Sequence, residues 1–360
     1  MSVHQHAQHR ASADSADEAA APAVTRPVRW LSMHVPYGCR HAGACCSSGW
    51  DIPLERSRVA AVGMLRADGT WLRPAPGAPA EIGGLLAHSN TGHCVFHGDG
   101  CEIHRRLGHE AMPSACQHFP RECLIDARGV SVTLSHYCPT AANLLFDHEG
   151  PVEIVDGPPV LPSGEAEGLD ARGVLPPLLS ADVLMDYQGY TAWEAHSIRV
   201  LTADDDRSPE SAIATLESQV SQLQRWRPGN ESLVERIATF GDEKCPESQI
   251  GPGPISRGRA ASEIGAGLIS ELVIRRYLAA HAFASWLAYQ GGGIGAVVAG
   301  LHLALGVLRA EIARQSPDAG APITRARLHA SIRQADLRLR HLADRDRLAQ
   351  EAAREYRNRQ

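Results

Sequence analysis

The pattern of apolar and polar positions divides the chain into a first half of short elements and a second half of helices. Residues 28–39 and 130–138 alternate in polarity as strands do. From about residue 178 the apolar positions recur at helical spacing. The C-terminal segment predicts an amphipathic helix whose inner stripe is Leu328, Ile332, Ala335, Leu339 and Leu342. The pattern therefore predicts an α+β protein with a mostly α-helical C-terminal half.

Glycine and proline mark the ends of the short elements. The His-Gly-Asp-Gly run at 97–100 is a strong turn signal, and it predicts a hairpin with Cys94 and Cys101 on facing arms. Residues 101–108 predict a short helix that ends at its glycine. A further helix is expected to begin at Pro139, because proline is tolerated in a first helical turn.

Changes in composition predict the domain limits. Residues 1–27 lack apolar periodicity and are expected to be a disordered tail. Residues 28–150 form the cysteine-bearing domain, and a Pro/Gly-rich stretch separates it from a helical domain at 175–350. The first domain has few aliphatic runs, so we expect the helical half to pack directly on it.

Composition and charge restrict the location and the partners. The chain is 44% hydrophobic with a net charge of −6, which is typical of a soluble protein and provides no basic field for nucleic acid. Residues 277–308 lack Asp, Glu, Lys and Arg, but glycines at 291–293 predict two buried helices rather than a membrane span. Residues 1–27 lack the basic and apolar regions of a secretory signal, so we expect a cytoplasmic protein without a membrane partner.

Cysteine is concentrated in one segment. Thiolates are the soft ligands of zinc and of iron–sulfur clusters, and a reduced cytosol makes a disulfide framework the weaker interpretation. Because neighbouring side chains diverge, we expect one of the vicinal cysteines to ligate while the other packs, or each to serve a different metal atom. Eight of the nine cysteines lie between residues 39 and 138, namely Cys39, Cys45, Cys46, Cys94, Cys101, Cys116, Cys123 and Cys138. The ninth, Cys245, is expected to be a surface thiol.

Three motifs together resemble a known family. They are CCSSGWDIPLE at 45–55, CVFHGDGCEIHRRLGHEAMPSACQHFPRE at 94–122 and LSHYCPTAANLLF at 134–146. The set resembles the cysteine-cluster family of zinc- or iron-chelating proteins, and within it the flagellin lysine-N-methylase branch. The motifs cover about residues 34–147, whereas the helical half resembles that branch only diffusely.

The resemblance implies a small cysteine-rich metal-binding domain with an iron–sulfur cluster, or zinc as the alternative. It also implies S-adenosylmethionine-dependent methylation of lysine side chains on a protein substrate, flagellin or another, and hence a protein-lysine N-methyltransferase. Cys123 stands outside the family pattern. The metal ligands carried over onto this chain are Cys39, Cys45, Cys46, Cys94, Cys101, Cys116 and Cys138.

Two alternatives from other classes stay open. One is a non-catalytic zinc- or iron-binding module, and the other is a metal- or redox-responsive protein with exposed vicinal thiols. The chain has neither a Gly-rich Rossmann motif nor the Cys-x3-Cys-x2-Cys loop of radical enzymes. The candidate metal ligands or proton carriers are His97, His104, His118 and His136. The candidate proton acceptors are Tyr37, Tyr137, Asp51 and Glu55. The guanidinium of Arg121 is a candidate for binding a carboxylate.

Overall fold

The structure is a computed structural model. It describes residues 27–66, 68–161, 166–229, 231–242, 261–316 and 323–343, with residues 347, 348, 350, 351 and 354. The α+β prediction, with helices mostly in the second half, is confirmed. The expected disordered tail, apart from residue 27, and Cys245 lie outside the described residues.

The first half consists of short strands and one- or two-turn helices. Its strands are β1 (Val28–Leu31), β2 (Pro53–Glu55), β3 (Leu72–Arg73), β4 (Ile82–Leu86), β5 (His97–Gly98), β6 (Gly100–Cys101), β7 (Arg121–Asp126) and β8 (Gly129–Leu134). Its helices are α1 (Ala44–Ser47), α2 (Arg56–Gly63), α3 (Glu102–Leu107), α4 (Ser114–His118) and α5 (Pro139–Asp147), with a 3₁₀ turn at His109–Ala111. The predicted helix ends are confirmed at Gly108, the C-cap of α3, and at Pro139, the first residue of α5.

The second half is built from longer helices. Its strands are β9 (Ile154–Asp156), β10 (Leu169–Asp170), β11 (Leu178–Ser180) and β12 (Val183–Leu184). Its helices are α6 (Tyr187–Thr202), α7 (Pro209–Leu223), α8 (Leu233–Asp242), α9 (Ala261–Ala282), α10 (Gly293–Arg314) and α11 (Arg325–Asp336), with a 3₁₀ turn at Trp286–Tyr289 and a π-type turn at Leu337–Leu342. Among the described helices, four N-termini are capped by a side chain that accepts from a free N–H group, those of Asp186, Ser208, Ser232 and Thr324.

The main sheet has five strands in the order β10-β7-β8-β1-β9. β8 pairs antiparallel with β7 and parallel with β1, so that Val132 lies opposite both Cys123 and Trp30. All six residues of β8 are buried, because both faces of the sheet are covered. Trp30 faces a core within the first half, while the next residue, Leu31, faces the large helical core. The Pro/Gly-rich stretch after residue 150 contributes β9 and β10 to this sheet.

A separate small core holds most of the cysteine motifs. The three-stranded sheet β2-β4-β3 packs with α2 and α3 around buried Ile52, Leu54, Phe96 and Ile103. The predicted hairpin forms as β5 and β6, and it pairs His97 with Cys101. The expectation that Cys94 lies on the hairpin arm facing Cys101 is wrong, because Cys94 forms an isolated antiparallel β-bridge with His88 instead.

The amphipathic C-terminal helix is shorter than its apolar pattern predicts. Leu328, Ile332 and Ala335 of α11 are buried in the helical core, and Leu339 packs against it. Leu342 is 61% exposed, so its place in the inner stripe is wrong. The chain leaves α-helical spacing at the π-type turn, so Leu342 no longer falls on the buried face.

The uncharged run at 277–308 is interrupted at the glycines. α9 ends at Ala282 and α10 begins at Gly293, and residues of both helices lie in the helical core. Among the described residues, α10 is long and apolar enough to cross a membrane, and 61% of its apolar window is buried inside the protein.

Gly293 allows the second of these helices to start against β11. Its φ is +56°, and a Cβ there would lie 2.2 Å from the carbonyl oxygen of Leu178. We expect Gly293→Ala to lower the free energy of unfolding by about 2–3 kcal/mol, measured by urea denaturation. Gly291→Ala is the matched control, because a Cβ at that exposed position meets nothing within 4 Å. Equal stability of the two variants would show that β11 and α10 separate easily.

Candidate metal centre

Two backbone segments bring four cysteines together. The first is α1, which carries Cys45 and Cys46 and is entered through Gly43 in a left-handed conformation. The second begins at Cys94, whose backbone N–H donates to the carbonyl of Cys46 over 2.8 Å. The chain then turns through β5 and β6 and delivers Cys101 at the N-cap of α3.

The four thiols meet around Cys46. Its sulfur interacts with the sulfurs of Cys101, Cys45 and Cys94. The Sγ atoms of Cys45 and Cys46 are 4.0 Å apart, so the two side chains do not diverge as expected.

The proximity of the thiols changes their pKa values. Hydrogen bonding with Cys101, Cys45 and Cys94 raises the pKa of the Cys46 thiol. Hydrogen bonding with Cys46 lowers the pKa of the Cys45, Cys94 and Cys101 thiols, and that of Cys101 falls to about 6. Backbone N–H groups of Ile103 and His104 add to the effect at Cys101. The group therefore favours thiolates, the form that binds metals.

The surroundings exclude water from most of the group. Cys46 and Cys94 are buried, and Cys45 and Cys101 pack against the core that contains Phe96. The Trp50 indole donates to the carbonyl of Cys45 over 2.9 Å. Such an apolar shell with oriented second partners is typical of protein metal sites.

The donor set fits a soft metal, but the sulfurs are not arranged around one. Within the described residues, no three His, Cys, Asp or Glu side chains stand in an arrangement that would hold a metal ion. Zinc with Zn–S bonds near 2.3 Å holds tetrahedral sulfurs about 3.8 Å apart, close to the Cys45–Cys46 separation.

The other predicted cysteine ligands lie outside this group. Cys116 on α4 is near enough for Cys45, Cys94 and Cys101 to act on it, and burial with this repulsion raises its pKa. Cys39 is exposed, and partial burial, with the nearby thiols of Cys45 and Cys138, raises its pKa.

Two cysteines belong to the core of the main sheet. Cys138 is buried, and its sulfur lies 3.8 Å from the Tyr37 hydroxyl. Cys123 on β7 is also buried there, and desolvation raises its pKa to about 12. None of the eight cysteines in the described part of the chain forms a disulfide.

Most of the other candidates have structural partners. His118 Nδ1 lies 3.0 Å from the Ser114 carbonyl, and the Arg121 guanidinium lies over the Tyr37 ring rather than at a carboxylate. Asp51 pairs with Arg73, Glu55 accepts from the Ser114 N–H, and the Tyr137 hydroxyl donates to the Ser47 carbonyl. Of the histidine candidates, His97 pairs with Cys101 across the β5–β6 hairpin, and the backbone N–H of His104 acts on the Cys101 thiol.

A buried network on Asp336 joins the two halves. This carboxylate, at the end of α11, accepts from the backbone N–H of His136, from the Tyr277 hydroxyl at 2.9 Å and from His281 Nε2 at 3.0 Å. Burial opposes its ionisation, but Arg340 and the hydrogen bonds outweigh that effect and hold its pKa well below the usual range. His136, expected as a ligand or proton carrier, is a member of this network.

A second buried network centres on Glu194 of α6. Its carboxylate accepts from Arg29 of β1 at 2.6 Å and from Arg128 at 3.0 Å. Arg128 also pairs with Asp126, at the other end of the β7–β8 hairpin turn. The Glu194 side chain is 1% exposed, so the sheet and the helices are joined here by charges removed from water.

The C-terminal turn connects the Asp336 network to the thiol group. His341 Nε2 lies 2.7 Å from the Ser135 hydroxyl, and its ring packs edge-on against Trp50 at 5.5 Å. Trp50 in turn donates to the carbonyl of Cys45. The helical half thus supports the backbone that carries the vicinal cysteines.

Comparison with models of known families, with curated proteins and with solved structures returned no match.

Proposed function

We propose that the protein is a metalloprotein whose centre is held by Cys45, Cys46, Cys94 and Cys101. The observation that carries this proposal is the 4.0 Å separation of the Cys45 and Cys46 sulfurs, with Cys94 and Cys101 near enough for the Cys46 thiol to lower their pKa values. Four unbridged thiols in an apolar core are otherwise costly, because thiolates repel one another and thiols hydrogen-bond weakly. A bound cation removes both costs.

The short spacing of the vicinal sulfurs favours a single tetrahedral ion. In a cubane cluster each iron takes its own thiolate, which sets the cysteine sulfurs farther apart than two ligands of one ion. The 4.0 Å separation of Cys45 and Cys46 suits ligands of one ion. The iron–sulfur cluster implied by the family resemblance is the second candidate, and it would use Cys116 in place of one vicinal thiol.

The motif resemblance extends the proposal to S-adenosylmethionine-dependent methylation of protein lysines in the cytoplasm. Its support is the sequence of the three motifs, together with the junction that supports the centre from the helical half. A lysine must lose its proton before methylation. A structural metal module is the alternative, and binding of the methyl donor to the metal-loaded protein separates the two.

The test is metal analysis after anaerobic purification of the full chain. We expect about one equivalent of zinc or iron in the wild type, with inorganic sulfide only if a cluster is present. Cys46→Ala should lower the metal content at least tenfold, because it removes the thiol that contacts the other three.

Cys123→Ala is the matched control, since Cys123 is also a buried cysteine of the first half but lies in the apolar sheet core. It should keep the wild-type metal content. Full metal content in Cys46→Ala, or equal loss in both variants, would contradict the assignment of the centre.

A further inference from the structure

The rim of the cysteine domain carries a second group of metal-binding side chains. His41 and His104 place their Nδ1 atoms 3.1 Å apart, and their rings are stacked with centroids at 4.4 Å. The Sγ atom of Cys39 lies 4.0 Å from His41 Nδ1. These are one thiol and two imidazoles from two segments, the loop at 39–41 and helix α3.

The histidine contact is poorly suited to a hydrogen bond. An imidazole N–H lies in the plane of its ring, so stacked rings at an interplanar angle of 27° cannot direct it at the partner's lone pair. The Nδ1 atoms are closer than the centroids, which means that the two rings lean together at their nitrogen edges. Two zinc-bound nitrogens at 2.0–2.1 Å are about 3.3 Å apart in a tetrahedron.

The thiol is turned toward the same histidine. The backbone N–H of His41 donates to Cys39 Sγ over 3.4 Å, which partly offsets the rise in the pKa of this thiol caused by burial. His41 has a φ of +55°, a conformation that few residues other than glycine adopt, and this turn directs its ring back toward Cys39 and α3. Cys39 and His41 are both exposed, so an ion has direct access from solvent.

We propose that Cys39, His41 and His104 form a second, solvent-accessible site for a divalent metal ion of the zinc type. As the side chains stand, the sulfur is slightly too distant, and a rotation about the Cys39 side chain closes the site. A water molecule would fill the fourth position, as in zinc sites that keep one position open. The site uses none of the four thiols of the proposed centre.

The thiol gives a site-specific measurement. Cys39 is the exposed cysteine among those described, so a soluble alkylating reagent should modify it first. We expect Zn²⁺ to slow alkylation of the Cys39 peptide at least tenfold, measured by mass spectrometry on the full chain. His104→Ala should abolish this protection and weaken the corresponding binding step about 100-fold or more in Zn²⁺ titrations.

His93→Ala is the matched control, because His93 lies in the same domain. Its ring packs edge-on against His97, and it contacts neither Cys39 nor His104 in the structure. It should keep the protection. Equal protection in His104→Ala and the wild type would overturn the proposal, as would its loss in a variant that replaces only His4, His6 and His9. Because protection is read at Cys39 alone, the result does not depend on whether the four-thiol centre binds metal.

Discussion

Asp336→Asn is expected to lower the free energy of unfolding by about 3–5 kcal/mol. The carboxylate is fully buried and receives hydrogen bonds from Tyr277, His281 and the backbone of His136, with Arg340 beside it. The amide lacks the charge that balances Arg340, and its NH₂ group would face donors. Urea unfolding followed by tryptophan fluorescence measures the loss.

Asp147→Asn is the control for this prediction. Asp147 also joins α5 to α11, through Arg325, but its side chain is 58% exposed. Exposed ion pairs contribute little, so we expect a change below about 1 kcal/mol. If the two variants lose the same stability, the buried network is not what holds α11 to the sheet.

Glu194→Gln is expected to have an effect of similar size, about 3–5 kcal/mol. The substitution keeps the shape of the side chain but leaves Arg29 without its carboxylate partner and Arg128 with Asp126 alone. The Arg29 and Arg128 side chains are only 11% and 9% exposed, so water cannot solvate a guanidinium group that has lost its carboxylate partner. The same unfolding measurement applies.

The control for Glu194 is Glu210→Gln on α7. Glu210 also pairs with an arginine, Arg309, but it is 56% exposed, and Arg309 keeps Glu271 as a second partner. We expect a loss below about 1 kcal/mol. A small effect at Glu194 as well would mean that Asp126 alone can neutralise the buried arginines.

The Asp336 network bears on the thiol centre as well as on stability. The π-type turn that follows Asp336 carries His341, which packs on Trp50, and Trp50 donates to the carbonyl of Cys45. The backbone of the vicinal cysteines is therefore supported from the C-terminal end of the chain. Loss of the packing between His341 and Trp50 should loosen the thiol centre before the helices unfold, because the helices have their own core.

Local signals were sufficient for the short elements. Gly108 ends α3 and Pro139 begins α5, because a glycine after a helix and a proline in its first turn act within a few residues of chain. The glycines at 291–293 mark the start of α10 in the same way, whereas α9 already ends at Ala282. The hairpin at 97–101 was also predictable, but not which residue stands opposite Cys101, since pairing partners depend on register.

The candidate site was predictable in composition and not in geometry. The density of cysteines identified the segment, but nothing in their spacing separated Cys46, on which three other thiols act, from Cys138, which is packed in an apolar sheet core. His41 carried no signal either, because its role depends on a left-handed turn and on His104 of another segment, 63 residues away.

The sequence by itself determined the α+β class, the helical second half, the ends of several elements and the stretch that holds the thiols. Only the tertiary structure decided which thiols meet, and that Asp336 and Glu194 join the halves. The physical reason is range: caps, turns and periodicity act over a few residues, whereas Asp336 meets His136 across 200 residues and Glu194 meets Arg29 across 165. Such pairs form only when the sheet and the helices are already packed together.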